Sequence, residues 1–395
     1  MSNFQRAGDA AETHLSGKRI LSIYYRHKPG GLCKRLYMMF HALATAGGEV
    51  HYIAVEAYPL SHPQIVPHIL WTPFQKKEGL LFWSYFLLTT PFYAFYVARK
   101  EDITLVSVFG GVYGFSAVFI KILLQIPLLI FVRADAQEIG RVLRRAPLSL
   151  FIERLFLKMA FSLSDQVVAV SRALKKTLVS DYGLSSDKIS VLNNHIADDL
   201  STASDRLKSR LSLGLDQYVF VVLTTAVLDA RKNVALVIHA AHRLNKTAFF
   251  LIVGEGPERQ HLERLANEHD GKAQFRFTGW QEDVSAYLKA ADLFVLPSKH
   301  EGCSNALLEA LSSGLPCLAS DIDENREVLN AASLLFDPHD FASLSDKIKK
   351  IMIDPNYFEK IKLLSGDARR RWVFDWDRRI VKYHQHLFLS TNRSR

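Results

Sequence analysis

Short apolar runs recur along the chain, each followed by a glycine-containing or polar break and then by a longer stretch of mixed polarity. Residues 19–25, 50–55, 103–108, Leu128–Val132 and 166–170 are runs of this kind. Apolar stretches of four to eight residues read as strands covered on both faces. Between the first two, residues 32–46 read as a helix stopped by Gly47-Gly48. Strands alternating with helices predict a parallel sheet flanked by helices on both faces. After Asn193-Asn194-His195 the pattern restarts. An amphipathic stretch at 203–213 leads to a strand at 218–225, a helix at 234–244 and a strand at 249–253. Further strands are expected at 274–278, Leu293–Leu296, 316–320 and 333–336, and a last helix at 376–389. The expectation is an α/β protein of two Rossmann-like, doubly wound domains facing a central cleft, with ligands at the carboxyl ends of the strands. The first domain is placed at 18–195 and the second at 196–374, with 375–395 closing back on the first.

Residues 79–98 contain no charged side chain and have the length of a transmembrane helix. The flanking strands at 50–55 and 103–108 argue against a span, because two strands of one sheet cannot lie on opposite sides of a bilayer. Pro91 is also expected to kink such a helix. Two readings remain open: a buried crossover helix, or a helix with one face on a membrane surface.

Composition is that of a globular protein, 49% hydrophobic and 23% charged. The net charge of +9 is uneven, with 22 Lys and Arg against 15 Asp and Glu in residues 1–200. This basic excess fits an acidic partner of the first half: anionic lipid or a phosphate-bearing acceptor before nucleic acid, for which no module is visible. Cys33, Cys303 and Cys317 are odd in number and in no metal spacing, which argues for a reducing compartment. Residues 1–17 are polar, with no apolar core of a signal peptide, and read as a mobile tail.

The most informative chemistry lies in residues 296–316. A strand runs into Pro297, a short loop follows, and residues 305–313 read as a helix closed by Gly314, with Ser304 or Asn305 as its cap. Glu301 in the loop can accept hydrogen bonds from sugar hydroxyls. Glu309, eight positions on, sits on the helix and can accept from a ribose. The helix start, with its free N–H groups, is a natural phosphate seat. The spacing alone is weak, since two glutamates eight apart also arise in any ordinary strand–helix unit.

The run Glu301-Gly302 to Glu309-Ala310, with Gly314 and Pro316 after it, resembles the Glu-x7-Glu signature of the retaining glycosyltransferases of family GT4 (glycosyltransferase group 1). The resemblance extends over residues 279–327, over 168–171 and 191–194, over Lys232-Asn233, and over Gly30-Gly31 with the helix that ends before Val50. It implies the GT-B fold, with a nucleotide-sugar donor on the second domain, a glycan or lipid-linked acceptor on the first, and a closing helix that begins near Trp376. It further implies that Glu309 holds the ribose, and that Glu301 with Gly302, Cys303, Ser304 and Asn305 holds the donor sugar. Lys232, helped by Arg231, would neutralise the pyrophosphate. Gly31 would admit backbone close to the phosphates, and Gly279-Trp280 would line the base pocket. Cys303 reads as a small residue beside the sugar rather than a catalytic thiol, since no base and orienting group are visible near it. Lys232 also reads as a solvated helix residue, and Trp280 as a core one. The Gly254-Glu255-Gly256-Pro257 run reads as a turn rather than a dinucleotide loop.

Two departures from the family pattern stand out. The arginine usual before the phosphate-site lysine is replaced within Ala226-Val227-Leu228, and the histidine usual at the end of the strand Leu128–Val132 is replaced by Arg133. Arg133 can stabilise a leaving phosphate and Asp135 can orient the acceptor; alternatively the two form a structural ion pair. Arg141, Arg144, Arg145, Arg154 and Lys158, interleaved with Phe151, Leu155 and Phe156, form a basic and partly apolar stretch that suits either a membrane surface or a solvated helix face.

The expected activity is transfer of a hexose-type sugar, from UDP in preference to GDP, onto a surface polysaccharide or lipid-linked glycan. No metal or other cofactor is expected, because Lys232 and the helix end supply the positive charge. The expected location is cytoplasmic, at the inner face of the membrane. A hydrolysing-type nucleotide-sugar epimerase of the same fold, or a non-catalytic relative that binds nucleotide or glycan, are the alternatives.

Overall fold

The computed structural model describes residues 14–27, 31–142, 145–196, 203–217, 219–244, 248–268 and 273–392. Arg144, Gly30 and most of the N-terminal tail therefore lie outside the described residues.

The first half runs β1 (Arg19–Ile23), α1 (Gly31–Thr45), β2 (Glu49–Ala54), β3 (Ile65–Ile69), α2 (Leu80–Lys100), β4 (Leu105–Phe109) and α3 (Gly111–Leu124). It continues with β5 (Leu128–Val132), α4 (Ala136–Val142), α5 (Pro147–Leu163), β6 (Gln166–Ala169), α6 (Arg172–Tyr182) and β7 (Ile189–Val191). The strands form one parallel sheet in the order β3-β2-β1-β4-β5-β6-β7. Leu105 to Phe109 and Leu128 to Val132 are buried at every position, as strands covered by helices on both faces must be.

The second half runs α7 (Ala203–Ser212), β8 (Phe220–Thr225), α8 (Val234–His242), β9 (Ala248–Val253), α9 (Arg259–Asn267), β10 (Ala273–Phe277), α10 (Ser285–Ala290) and β11 (Leu293–Leu296). Then come α11 (Asn305–Ser312), β12 (Cys317–Ser320), α12 (Asp323–Leu329), β13 (Leu335–Phe336), α13 (Phe341–Ile353), α14 (Pro355–Trp372) and α15 (Trp376–Asn392). Its sheet is ordered β10-β9-β8-β11-β12-β13 and is also parallel throughout. The strand order reverses beside β1 in the first sheet and beside β8 in the second. Such switch points open crevices at the strand ends, and they position the site.

Each sheet has its own core. One core gathers buried residues from Leu15 to Leu192 and adds Trp376, Ile380 and Leu387 of α15. The other runs from Ile196 to Trp372. The chain passes between them at residues 193–196 and again at 372–376, where Ile196 N–H donates to the Trp372 carbonyl at 2.9 Å.

Two sequence expectations need correction. The strand β3 was not anticipated, because Pro67 interrupts its apolar run; it is an edge strand, where a missing N–H is tolerated. The apolar helix α2 crosses between β3 and β4, as the topology argument requires, and runs on through Pro91, but it is not a buried crossover. Phe82, Phe86, Thr90, Ala94 and Val97 face the core, while Leu81, Leu88, Phe92 and Tyr96 on the opposite side are exposed.

Candidate functional site

The strand ends of the second sheet carry a set of charges already paired. The loop after β8 turns through Asn233, whose φ of 53° suits asparagine better than most residues. Its amide donates to the Pro297 carbonyl at 3.2 Å and the Pro338 carbonyl at 2.9 Å, pinning this loop to the end of β11. Lys232 is thereby held with Nζ 2.5 Å from Glu301 Oε1, and Ser298 Oγ donates to the same oxygen at 2.7 Å. The Glu301 carboxylate is 8% exposed, and its second oxygen takes no hydrogen bond among the described residues, so it remains available to a ligand hydroxyl. Arg231 turns away: Asp229 accepts from its Nη2 at 2.5 Å and its Nε at 3.2 Å, which compensates its charge within the loop.

The loop before α11 approaches the first domain. Ser304 Oγ caps the helix by accepting from Leu307 N–H at 3.3 Å, so of the two candidate caps the structure uses serine. Asn305 Oδ1 and the Cys303 carbonyl instead accept from Asn194 of the first domain, at 2.8 and 3.4 Å. At Gly302 the approach is closest, since a Cβ there would stand 2.0 Å from the Arg133 carbonyl oxygen. Cys303 packs against both cores, and burial pushes its thiol up to about 12, which suits packing rather than nucleophilic attack. Glu309, farther along α11, lies 3.4 Å from Lys34 Nζ of α1. That exposed pair contributes little to stability and yields readily to a ligand.

The first domain contributes uncompensated positive charge. Arg133, just past β5, has no hydrogen bond or ion pair among the described residues; its guanidinium lies over the Phe109 ring at 5.7 Å. Burial, with the neighbouring charge of Arg35, lowers its pKa to about 10, so it stays protonated at neutral pH. Arg35 is buried on α1 and donates from Nη1 to His195 Nδ1 at 2.8 Å and from Nη2 to the His195 carbonyl at 3.0 Å. Burial and the Arg35 charge push His195 down to about 4, leaving its ring neutral and able to accept. Asp135 is not the ion-pair partner of Arg133, which overturns that alternative. Its Oδ1 accepts from Gln137 N–H at 2.9 Å and caps the start of α4, and burial raises its pKa.

The remaining expected residues lie nearby or at the margin. Gly31 opens α1. Gly279, at φ 73°, accepts at its carbonyl from Gly254 N–H at 2.9 Å, and Trp280 beside it is 49% exposed, so it is not a core residue. Gly256 lies in the turn expected there, where a Cβ would meet Leu228 backbone at 2.4 Å.

Sequence reasoning missed the residues that hold the two halves together. Glu327 of α12 accepts from the N–H groups of Arg172 and Ala173 at the start of α6, at 2.7 and 3.4 Å, and from Asn193 at 3.1 Å. His300 lies 3.2 Å from Glu138 of α4. Lys34 and Arg35 had a readable signal, being cations near a helix N-terminus, where the dipole disfavours them unless an anion is near.

Two consecutive doubly wound domains, each on a parallel sheet, are the architecture of the GT-B class of two-domain α/β proteins. A family model described as Glycosyltransferase Family 4 matches residues 29–200, and one described as Glycosyl transferases group 1 matches residues 205–366. The chain belongs to this family of glycosyltransferases.

Among curated relatives, the lipopolysaccharide core biosynthesis glycosyltransferase LpsD of Rhizobium meliloti is 34% identical over 41% of this chain and 48% of its own length. The UDP-Gal:alpha-D-GlcNAc-diphosphoundecaprenol alpha-1,3-galactosyltransferase of Escherichia coli is 31% identical over 53% and 56%. The chain thus spans about half the length of these relatives. Among solved structures, sucrose-phosphate synthase from Thermosynechococcus elongatus superposes with a TM-score of 0.78 over 96% of this chain and 100% of that one, at 18% identity. HepE of Anabaena in complex with UDP and glucose gives 0.74 over 94% and 100%, also at 18%. These likenesses show the fold.

Proposed function

We propose that this chain transfers a hexose-type sugar, with retention, from a nucleotide-sugar to a glycan or lipid-linked glycan during surface polysaccharide or lipopolysaccharide synthesis. The donor nucleotide is UDP in preference to GDP. The observation that carries this reading is that the loop and helix start bearing Glu301, paired with Lys232, and Glu309 lie against the unpaired Arg133 and Lys34 of the first domain. In the reaction the bond between the sugar carbon and the phosphate oxygen breaks, a bond to the acceptor oxygen forms, and the acceptor proton leaves with the phosphate. The charge that grows on the departing diphosphate is the main demand, and preorganised cations answer it best. Lys232 and Arg133 supply these cations from opposite walls, so no metal is required. Glu309 exchanges Lys34 for the ribose hydroxyls, Glu301 Oε2 accepts from the sugar, and Asp135 beside the cleft orients the acceptor. Gly279 and Trp280 border the base.

Support for UDP and for a lipid-linked acceptor comes from the relatives, one of which carries both in its name and another of which binds UDP and glucose. The basic first domain suits work at the cytoplasmic face of a membrane.

Thermal unfolding with UDP, GDP and ADP, for wild type and Glu309→Ala, tests the reading. A nucleotide at ~100 times its Kd adds about 2.7 kcal/mol. The expected result is stabilisation by UDP that the variant loses. No shift with any nucleotide overturns the donor site.

A further inference from the structure

The unassigned feature outside the cleft is an apolar face made by three helices on one side of the first sheet. On α2, Leu81, Leu88, Phe92 and Tyr96 recur at spacings of seven, four and four, so they form one exposed stripe. On α5, Ile152, Leu155, Met159 and Leu163 form a second. α3 lies between them and exposes Ile122 and Leu123. Ring contacts join the three helices: Phe92 to Phe119 at 5.4 Å across α2 and α3, and Phe115 to Phe156 at 4.5 Å across α3 and α5. Phe92 is 67% and Leu88 69% exposed. Monomeric proteins seldom leave a continuous apolar surface of this kind uncovered.

Two further observations select what covers it. Amphipathic aromatics border the patch, Trp71 at 72% exposure beside Tyr85 of α2 and Tyr96 on the stripe itself, and such residues favour the headgroup level of a bilayer. Cations border it as well: Arg99 lies in the last turn of α2, and Arg154 and Lys158 flank the α5 stripe. Arg99 and Lys158 have no ion-pair partner among the described residues. A second copy of the chain seated here across a two-fold axis would set this basic border against itself. An anionic lipid surface complements both parts.

We infer that the α2–α3–α5 face seats the protein on an anionic bilayer, its apolar stripes reaching below the headgroups and its cations at the phosphates. Because α2 crosses between two strands of one sheet, the helix lies in the interface and does not span it. The first turn of α5 is tied to α4 by Gln137 Nε2 donating to the Leu150 carbonyl at 3.2 Å, and α4 begins at Asp135 in the cleft. Seating therefore brings the cleft mouth to the headgroup level, where the sugar of a lipid-linked acceptor lies. This last step rests on the proposed transferase reading.

Flotation with vesicles of phosphatidylcholine, with and without phosphatidylglycerol, tests the inference. Wild type is compared with Phe92→Glu/Leu155→Glu and with Arg154→Glu/Lys158→Glu. Wild type should float with the anionic vesicles. Removing two surface cations lowers partitioning roughly thirtyfold, and reversing them lowers it further; the apolar double variant should lose binding altogether. UDP-induced thermal stabilisation in the same variants should be unchanged, which separates a failure here from a failure of the donor site. Wild type that floats with neither vesicle, or equally with both, overturns the inference. So does a wild-type dimer that Phe92→Glu/Leu155→Glu converts to monomer, which would make the face a contact between copies.

Discussion

The two sheets share a strand order, but their strand ends meet the cleft in opposite electrical states. On the second-domain wall three cations each have a carboxylate at hand: Lys232 with Glu301, Arg231 with Asp229, and farther back Arg210 with Asp292. On the first-domain wall Arg133 and Arg35 are held in low dielectric with no carboxylate against either among the described residues. A buried cation without a counter-ion costs stability, so the fold must offset it elsewhere. The difference teaches a division of labour. The second wall has its cations matched by carboxylates before any ligand arrives. The first wall keeps positive charge in reserve, and an anion delivered into the cleft is what completes it.

The largest expected effect comes from forcing the walls apart. In Gly302→Ala the new methyl would stand 2.0 Å from the Arg133 carbonyl oxygen, and the atoms it meets are backbone, with no side chain to swing away. Each domain keeps its own core, so the protein should fold, while a displacement on the order of 1 Å at the reacting centre costs about a hundredfold in kcat/KM. Transfer rate together with solution scattering checks this. A variant within a few-fold of wild type would show that the Gly302–Arg133 contact is not part of the working state.

Arg133→Met sharpens the comparison, because its two readouts should move in opposite directions. Removing an unpaired, half-buried cation should raise stability by at most about 1 kcal/mol, while losing a donor aimed at developing charge costs about 10²–10³ in kcat. Denaturant midpoints and initial rates decide it. If stability and activity fall together, Arg133 is holding structure and the first wall is not charged in reserve.

The two walls also differ in how legible they were in sequence. The second wall is built from local chain: a strand, a loop and a capped helix within residues 293–312, so spacing and cap residues placed Glu301, Ser304 and Glu309 on their elements. The first wall is assembled from afar. Arg35 meets His195 160 positions later, and Lys34 meets Glu309 275 positions later, and no local pattern encodes such pairs. The Arg133–Asp135 alternative failed for a related reason: spacing showed two opposite charges close in sequence, but Asp135 turns its Oδ1 to the start of α4. α13 and α14 were passed over although Asp340 and the Asp354-Pro355 pair are readable helix starts. Which of the two readings of α2 holds was also out of reach, since apolar residues on both sides of a helix look alike until its neighbours are known.

The smallest expected effect separates the walls by pH. Glu324, on α12 of the second domain, is pushed up to about 7 by burial first and then by the charges of Asp323, Glu301 and Glu327. Its folded pKa lies above the ordinary carboxylate value near 4.5, so the folded state holds the proton more tightly than the unfolded state does. Below that ordinary value both states are protonated and nothing is lost. As pH rises from there toward 7 the unfolded chain ionises first, and stability falls across that window and then levels. Glu324→Gln cannot ionise. It should match wild type near the acid end and exceed it at pH ~8, by roughly 1 kcal/mol once solvent screening is allowed for. Arg133 gives the contrast: with its pKa at about 10 it is charged throughout the same window, so its cost is constant and Arg133→Met should shift the whole pH–stability curve without changing its shape. Denaturant midpoints of the three proteins at several pH values make the comparison. A wild-type curve parallel to that of Glu324→Gln would mean that Glu324 ionises freely, and that the second wall carries no strained charge at all.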